Sequence, residues 1–245
     1  MTTSSTSPPS SASAVATLAG TPVRALWTKA GDGDQRSLGR EPASTHLPLP
    51  PGLTVRRLHQ VHGAGVVIVD PPVPDGTSAW RPASGDAPPD GDAVVASGSG
   101  FALAVLTADC ASVALGSPEG VHGAVHVGWR GLVAGVLAKA IDTMRALGAS
   151  EVVAGLGPCI GPCCYEFSES DLATVLAVCG PDARGETTWG RPSLDLPAAV
   201  RGQIARSGAE LALTADTCTA CTVGYFSHRG RGDEARQALV VWRHR

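Results

Sequence analysis

The sequence predicts a layered α/β fold (an α+β sandwich), a mixed sheet covered by helices. Three observations carry this. Residues 92–127 break into short apolar runs separated by turn residues, as successive buried strands do. Residues 121–156 read as strand, helix, strand, and such a β-α-β unit favours a partly parallel sheet. Two further segments, 168–178 and 195–207, begin with residues that cap helices.

Taken in order, the first 20 residues, MTTSSTSPPSSASAVATLAG, have no basic n-region and no sustained apolar run. They read as a disordered, dispensable tail rather than a secretory signal. Residues 23–28 form a strand candidate, and 30–53, rich in Gly, Pro, Asp and Ser, a loop. Strands are expected at 54–58 and 65–70, joined through His59-Gln60-Val61-His62-Gly63. The prolines of 71–91 make that stretch a loop. Next come strands at 92–97, 101–107, 112–116 and 121–127. Leu132, Val136, Leu137, Ala140, Ile141, Met144 and Leu147 recur at helical spacing, and Gly148 stands where a helix-ending glycine belongs. A strand at 151–156 follows. Ser168 and Asp195 cap the next two helices, and strands at 223–227 and 237–242 close the sheet. No linker or repeat divides 21–245, which reads as a single catalytic domain.

Composition excludes several classes. The 245 residues are 43% hydrophobic and 17% charged, which is globular rather than disordered. A net charge of -3 argues against a nucleic-acid partner or an anionic membrane surface. No apolar run is long enough to span a bilayer. Seven cysteines, an odd number and without a signal peptide, point to a reducing cytoplasm where thiols are core residues, metal ligands or nucleophiles.

The chain has no phosphate loop, no G-x-S-x-G elbow and no H-E-x-x-H. Three residues at predicted strand ends stand out instead. His62 ends 54–62, Cys110 follows 101–107 through Ala108-Asp109, and His126 precedes Gly128-Trp129-Arg130-Gly131. Ligands gather at the carboxyl ends of parallel strands. Two imidazoles and a thiolate suit Zn²⁺ with a fourth position open. Their spacing is too long for a local motif, so the alternative of a buried thiol and two ordinary histidines stays open. Cys159, Cys163, Cys218 and Cys221 form a weaker set for a second, structural zinc, with buried thiols the favoured reading.

Four ordered motifs add a resemblance. Gln60-Val61-His62-Gly63, Leu106-Thr107-Ala108-Asp109-Cys110, His126-Val127-Gly128-Trp129-Arg130-Gly131 and Gly157-Pro158-Cys159-Ile160-Gly161-Pro162-Cys163-Cys164-Tyr165-Glu166 resemble the YfiH family, also called peptidoglycan editing factor or the polyphenol oxidase (laccase-domain) family. The resemblance implies the YfiH-like layered sandwich, a zinc site at His62, Cys110 and His126, and a purine nucleoside phosphorylase with accompanying adenosine deaminase activity. Its partners would be purine nucleosides and phosphate. The N-terminal segment departs from the family's pattern, Thr28-Lys29-Ala30-Gly31 standing where an arginine is usual, which puts substrate loops there in doubt.

The chain has only two lysines, Lys29 and Lys139. Arg130, with backbone N–H groups of the helix after Gly128, is therefore an expected phosphate holder, and Arg229 a second substrate residue. The bland readings are an ion pair at a helix start and a strand-end arginine. Asp109 is expected either to orient a ligand histidine or to cap a turn. Arg56 and Arg57 read as a solvated strand face. Three other functions compete. One is a cysteine-nucleophile amidase with Cys110 attacking and His126 as base. Another is a copper-dependent polyphenol oxidase, disfavoured by seven histidines without an H-x-H pair. The third is a binding module that merely keeps the fold.

Overall fold

The computed structural model describes residues 13–39, 47–69, 79–80 and 87–244. The strands are β1 (Val15–Thr17), β2 (Val23–Trp27), β3 (Thr54–Arg57), β4 (Val66–Val69), β5 (Ala79–Trp80), β6 (Ala93–Ala96) and β7 (Phe101–Thr107). They continue as β8 (Ala111–Gly116), β9 (His122–Val127), β10 (Val153–Leu156), β11 (Arg184–Glu186), β12 (Pro192–Leu194), β13 (Glu210–Thr214) and β14 (Gln237–Arg243). The helices are α1 (Trp129–Val133), α2 (Val136–Ala146), α3 (Glu169–Cys179), α4 (Leu196–Arg206) and the single turn α5 (His228–Arg231).

Two mixed sheets stack. The smaller runs β1-β2-β14-β7-β3 and the larger β13-β10-β8-β9-β6-β4-β5, while β11 and β12 form a separate hairpin. Strand alternation sorts the side chains. In β6, Ala93 and Val95 face the helices while Val94 and Ala96 face the second sheet, so all four are buried. One core lies between the large sheet and Leu137, Ile141, Met144, Val200 and Ile204 of α2 and α4. A second lies between the sheets, where Leu103, Val105, Leu239 and Val241 meet Ala114, Ala124 and Val153. The layers are thus helices, large sheet and small sheet, as the patterning predicts.

The expected β-α-β unit is present with a strand inserted. Both β9 and β10 pair antiparallel with β8, so they run parallel to each other on either side of it. The helix read from 132 onward is two helices, because Gly135 adopts the left-handed conformation at φ +80° and breaks the hydrogen-bond run. The Ser168 hydroxyl accepts the Asp171 N–H at 3.1 Å, and Asp195 accepts the Ala198 N–H at 2.8 Å, so both predicted caps form.

Four further expectations are corrected. The tail does not run to residue 20. Val15–Thr17 pairs antiparallel with β2, and Leu18 is fully buried between the sheets, against Gly116 and Gly155, where a side chain would collide. Residues 1–12 lie outside the described residues. No strand forms at 223–227; Val223 is 96% exposed and the Gln237 carboxamide satisfies the backbone of Phe226 instead, accepting its N–H at 2.7 Å. Within the expected loop 71–91, residues 79–80 form β5; 71–78 and 81–86 lie outside the described residues. Arg56 and Arg57 are half-buried rather than solvated, Arg56 lying 5.5 Å over the Phe101 ring. No helix among the described residues is long and apolar enough to cross a membrane.

Leu18→Ala should therefore cost about 2–5 kcal/mol in urea unfolding, the usual range for emptying a closed core site. A chain starting at Gly20 should be similarly weakened. An unchanged denaturation midpoint for both would show that this segment adds nothing.

Candidate metal centre

His62, Cys110 and His126 converge, their ligand atoms all within 4.8 Å of one another. The chain brings them together at the seam between the sheets. After β3 it leaves the small sheet for β4 of the large one, and His62 lies on that passage. After β7 it crosses again to β8, and Cys110 lies there. Since β3 and β7 are parallel neighbours, both passages leave the same end of the small sheet. His126 reaches the same place from β9, directly opposite Ser112 in β8.

A buried carboxylate aligns these pieces. Asp92 is fully buried and accepts the His62 N–H at 3.0 Å, the Gly63 N–H at 2.6 Å and the His126 Nδ1 at 2.8 Å. Two consecutive N–H groups gripping one carboxylate explain why His62 holds the left-handed conformation, φ +58°. That strain of roughly 1–2 kcal/mol is offset by charge-assisted bonds of about 1.5–3 kcal/mol each. Bonding at Nδ1 leaves His126 Nε2 toward the thiol, the arrangement typical of ligating histidines. Burial raises the Asp92 carboxyl, but His126, Gly63 and His62 more than reverse it and hold it below its ordinary value.

The Cys110 Sγ lies 3.9 Å from His62 Nε2, and the two imidazoles meet edge to face at 4.8 Å. Burial pushes the thiol up, yet the two histidines bring it down to about 6. Burial pushes His126 down, yet the Cys110 charge and Asp92 raise it to about 9. Gly128 is required here, since a Cβ would sit 2.8 Å from His62 Cδ2 and 3.4 Å from the Cys110 sulfur.

Asp109 does not orient a ligand histidine. Held at φ +94°, it accepts the Thr219 hydroxyl at 2.6 Å and the Arg229 N–H at 2.6 Å. The histidine-orienting acid is Asp92, which sequence reading takes only as the polar first residue of the apolar strand 92–97. Gln60 pairs with the Leu106 backbone at 2.7 Å in both directions, extending the β3–β7 ladder by a side chain. His59 is ion-paired with exposed Asp90, and His122 is buried on the Gly120 carbonyl, so neither belongs to the cluster.

Arg229 is the first-turn residue of α5, not a strand end. Its guanidinium donates to the Glu166 carbonyl at 3.2 Å and lies 5.0 Å over the Tyr165 ring. Tyr165 stacks edge-on with Phe167, and Phe167 with Trp129, on which Arg130 lies at 4.5 Å. The Tyr165 hydroxyl is raised mainly by burial, then by the Cys110 charge, and is opposed by Arg229 and Arg130, so both arginines act on one region. A cleft of about 910 Å³, lined by Glu166, Phe167, Trp189, Arg191 and Arg229, opens beside it. The expected anion-binding helix after Gly128 is corrected: α1 has five residues, too few for a sizeable dipole. Of the second cysteine set, Cys163, Cys218 and Cys221 come together, but the fourth member is Cys164; Cys159 is buried beneath it.

Comparison with known proteins identifies the family and the fold. Residues 37–244 match the family model described as multi-copper polyphenol oxidoreductase laccase. A Streptomyces coelicolor protein named purine nucleoside phosphorylase is 42% identical over 207 residues, covering 83% of this chain and 80% of its own. The Neisseria meningitidis protein NMB0706 superposes with a TM-score of 0.74 at 24% identity, over 96% of this chain and all of its own. The Bacillus licheniformis protein YfiH does so at 0.70 and 22% identity, over 90% of this chain and 92% of its own. At these identities the two structures speak to the fold.

In metal-free protein, alkylation of Cys110 should follow a thiolate that persists down to about pH 6 and is lost below it. His126→Ala should move that midpoint upward, since it removes a positive neighbour. Asp92→Asn should weaken metal retention roughly 10–100-fold in chelator competition. Equal retention would mean that Asp92 supports only the fold.

Proposed function

The chain belongs to the multi-copper polyphenol oxidoreductase laccase family, and on that footing we propose that it is a zinc-dependent purine nucleoside phosphorylase with accompanying adenosine deaminase activity. The observation that carries the reading is the convergence of His62, Cys110 and His126 beside an arginine-bearing cleft, in a chain whose relatives are named purine nucleoside phosphorylases.

The donor set fits zinc. A tetrahedral ion with bonds of roughly 2.0–2.3 Å needs N···S separations near 3.6 Å. Cys110 and His62 already stand 3.9 Å apart. His126 is held in the ligating tautomer, and the thiol is disposed to ionise. When bound, the ion supplies a Lewis acid and lowers the pKa of its water, which suits deamination in particular. A multicopper centre has too few histidines here, since His59 and His122 are engaged elsewhere. A blue-copper site of His₂Cys type would want an axial thioether. Met1 and Met144 are the two methionines, and Met144 is sealed in the helix-side core.

The chain's own residues account for binding. A cleft of about 910 Å³ is of the size that takes a nucleoside with phosphate. Trp189, 53% exposed in the cleft wall, offers aromatic surface for a purine, with the edge of Phe167 beneath. Arg229 and Arg130 are the cations placed for phosphate, Arg229 with a guanidinium held by the Glu166 carbonyl. Asp109 fixes the Arg229 backbone one residue from Cys110, tying the anion holder to the metal ligands. Seven free thiols accord with a cytoplasmic protein, and residues 13–244 with one catalytic domain.

Inosine with phosphate should yield hypoxanthine and ribose 1-phosphate, and adenosine should yield adenine and some inosine. His62→Ala, Cys110→Ala and His126→Ala should each lose this centre's zinc together with activity. Arg229→Ala should keep that zinc and lose about 2–4 kcal/mol of transition-state stabilisation, with Arg130→Ala losing less. Free ribose released without phosphate would make the protein a hydrolase. Full activity in metal-free protein would favour Cys110 as a nucleophile, and an intense blue colour would favour copper.

A further inference from the structure

We propose that Cys163, Cys164, Cys218 and Cys221 form a second, closed metal site, a four-thiolate Zn²⁺ centre that staples two loops of the candidate active cleft together. Their sulfurs all lie within 4.8 Å of one another. Cys221 is 3.3 Å from Cys163 and 3.0 Å from Cys164. The edge of a ZnS₄ tetrahedron is about 3.8 Å, so shifts of less than an ångström would seat the ion. None of the four is in a disulfide.

The loops are built to present these sulfurs. Cys218-Thr219-Ala220-Cys221 is a C-x₂-C turn, the spacing typical of structural zinc. A parallel backbone bridge between Cys159 and Cys218 lays the two segments side by side, with the Thr219 N–H donating to the Cys159 carbonyl at 3.1 Å. This bridge places Cys159 in the core and leaves Cys163 and Cys164, on the turn beyond Gly161, to meet the C-x₂-C pair. The Gly161 N–H donates to the Cys218 sulfur at 3.2 Å, a bond that stabilises a thiolate ligand. Arg231 donates to the Thr219 and Ala220 carbonyls, placing positive charge behind a centre that would carry two net negative charges.

The consequence reaches the cleft. Thr219, inside the C-x₂-C turn, donates its hydroxyl to Asp109, the residue before Cys110. Cys164 and Ala220 themselves line the cleft wall beside Arg229. A staple at these four sulfurs would hold that wall in place without touching substrate.

The site uses no residue of the His62–Cys110–His126 cluster, so zinc counts separate the two. Full-length protein prepared without chelator should carry about two zinc ions per chain. The combined His62→Ala, Cys110→Ala and His126→Ala variant should keep one, and adding Cys218→Ser and Cys221→Ser should remove it. If serine variants fail to fold, unmutated protein reconstituted with Co²⁺ should show sulfur-to-cobalt charge transfer and tetrahedral d–d bands of a four-thiolate site. Alkylation with mass mapping should find the four cysteines protected until zinc is stripped. A zinc-free combined histidine variant, a disulfide among the four, bound iron, or immediate alkylation in metal-replete protein would overturn the assignment. Retention of zinc at the cysteines with none at the histidines would uphold it and sink the proposed catalytic metal instead.

Discussion

The site rests on a carboxylate that cannot reach water. Asp92 opens β6 between the sheets' loops and takes three donors, two from the passage carrying His62 and one from the ring of His126. An ionised carboxylate buried without them would cost several kcal/mol. With them, it fixes a strained backbone and a ring tautomer at once. No candidate ligand is positioned by its own secondary structure alone; His62 and His126 take their geometry from this residue.

Around it the two sheets set the larger frame. Two of the chain's sheet changes at one end of the sandwich, β3 to β4 and β7 to β8, each deliver a potential ligand. Such crossings suit chemistry because strands hold them at both ends while most of their backbone lies outside the regular ladders. The tolerances are narrow. Gly128 passes close enough to His62 and Cys110 that a methyl group would displace one of them. Gln60 closes the end of the β3–β7 ladder with its carboxamide, so the passage to His62 starts from a fixed point.

Much of this was legible in the sequence, and the failures have physical causes. Apolar runs located β6 to β9 within a residue or so, because strands buried on both faces carry an uninterrupted signal. The convergence of His62, Cys110 and His126 was anticipated from strand ends, although the three ends belong to two sheets rather than one parallel sheet. Asp92 was read only as the start of a strand, since burial of a lone acid leaves no periodic trace. The expected tail is too long because Val15–Thr17 is short and sits in a stretch of Ala, Ser and Thr, and its worth comes from Leu18 meeting glycines of distant strands. For the cysteines, the C-x₃-C spacing pointed to Cys159, whereas its backbone bridge sends that side chain inward and brings Cys164 out.

The placing of β14 has an effect on how the molecule comes into being. Gln237–Arg243 lies between β2 and β7 and pairs with both, near the middle of the small sheet. During synthesis β2 and β7 are complete long before it emerges, and each then shows a bare edge to the cell. The inter-sheet packing, and with it the seam on which His62 and Cys110 ride, waits for this last strand to slide in. Nascent chains would thus spend their longest interval with two unsatisfied edges, where premature pairing with a neighbour competes with completion.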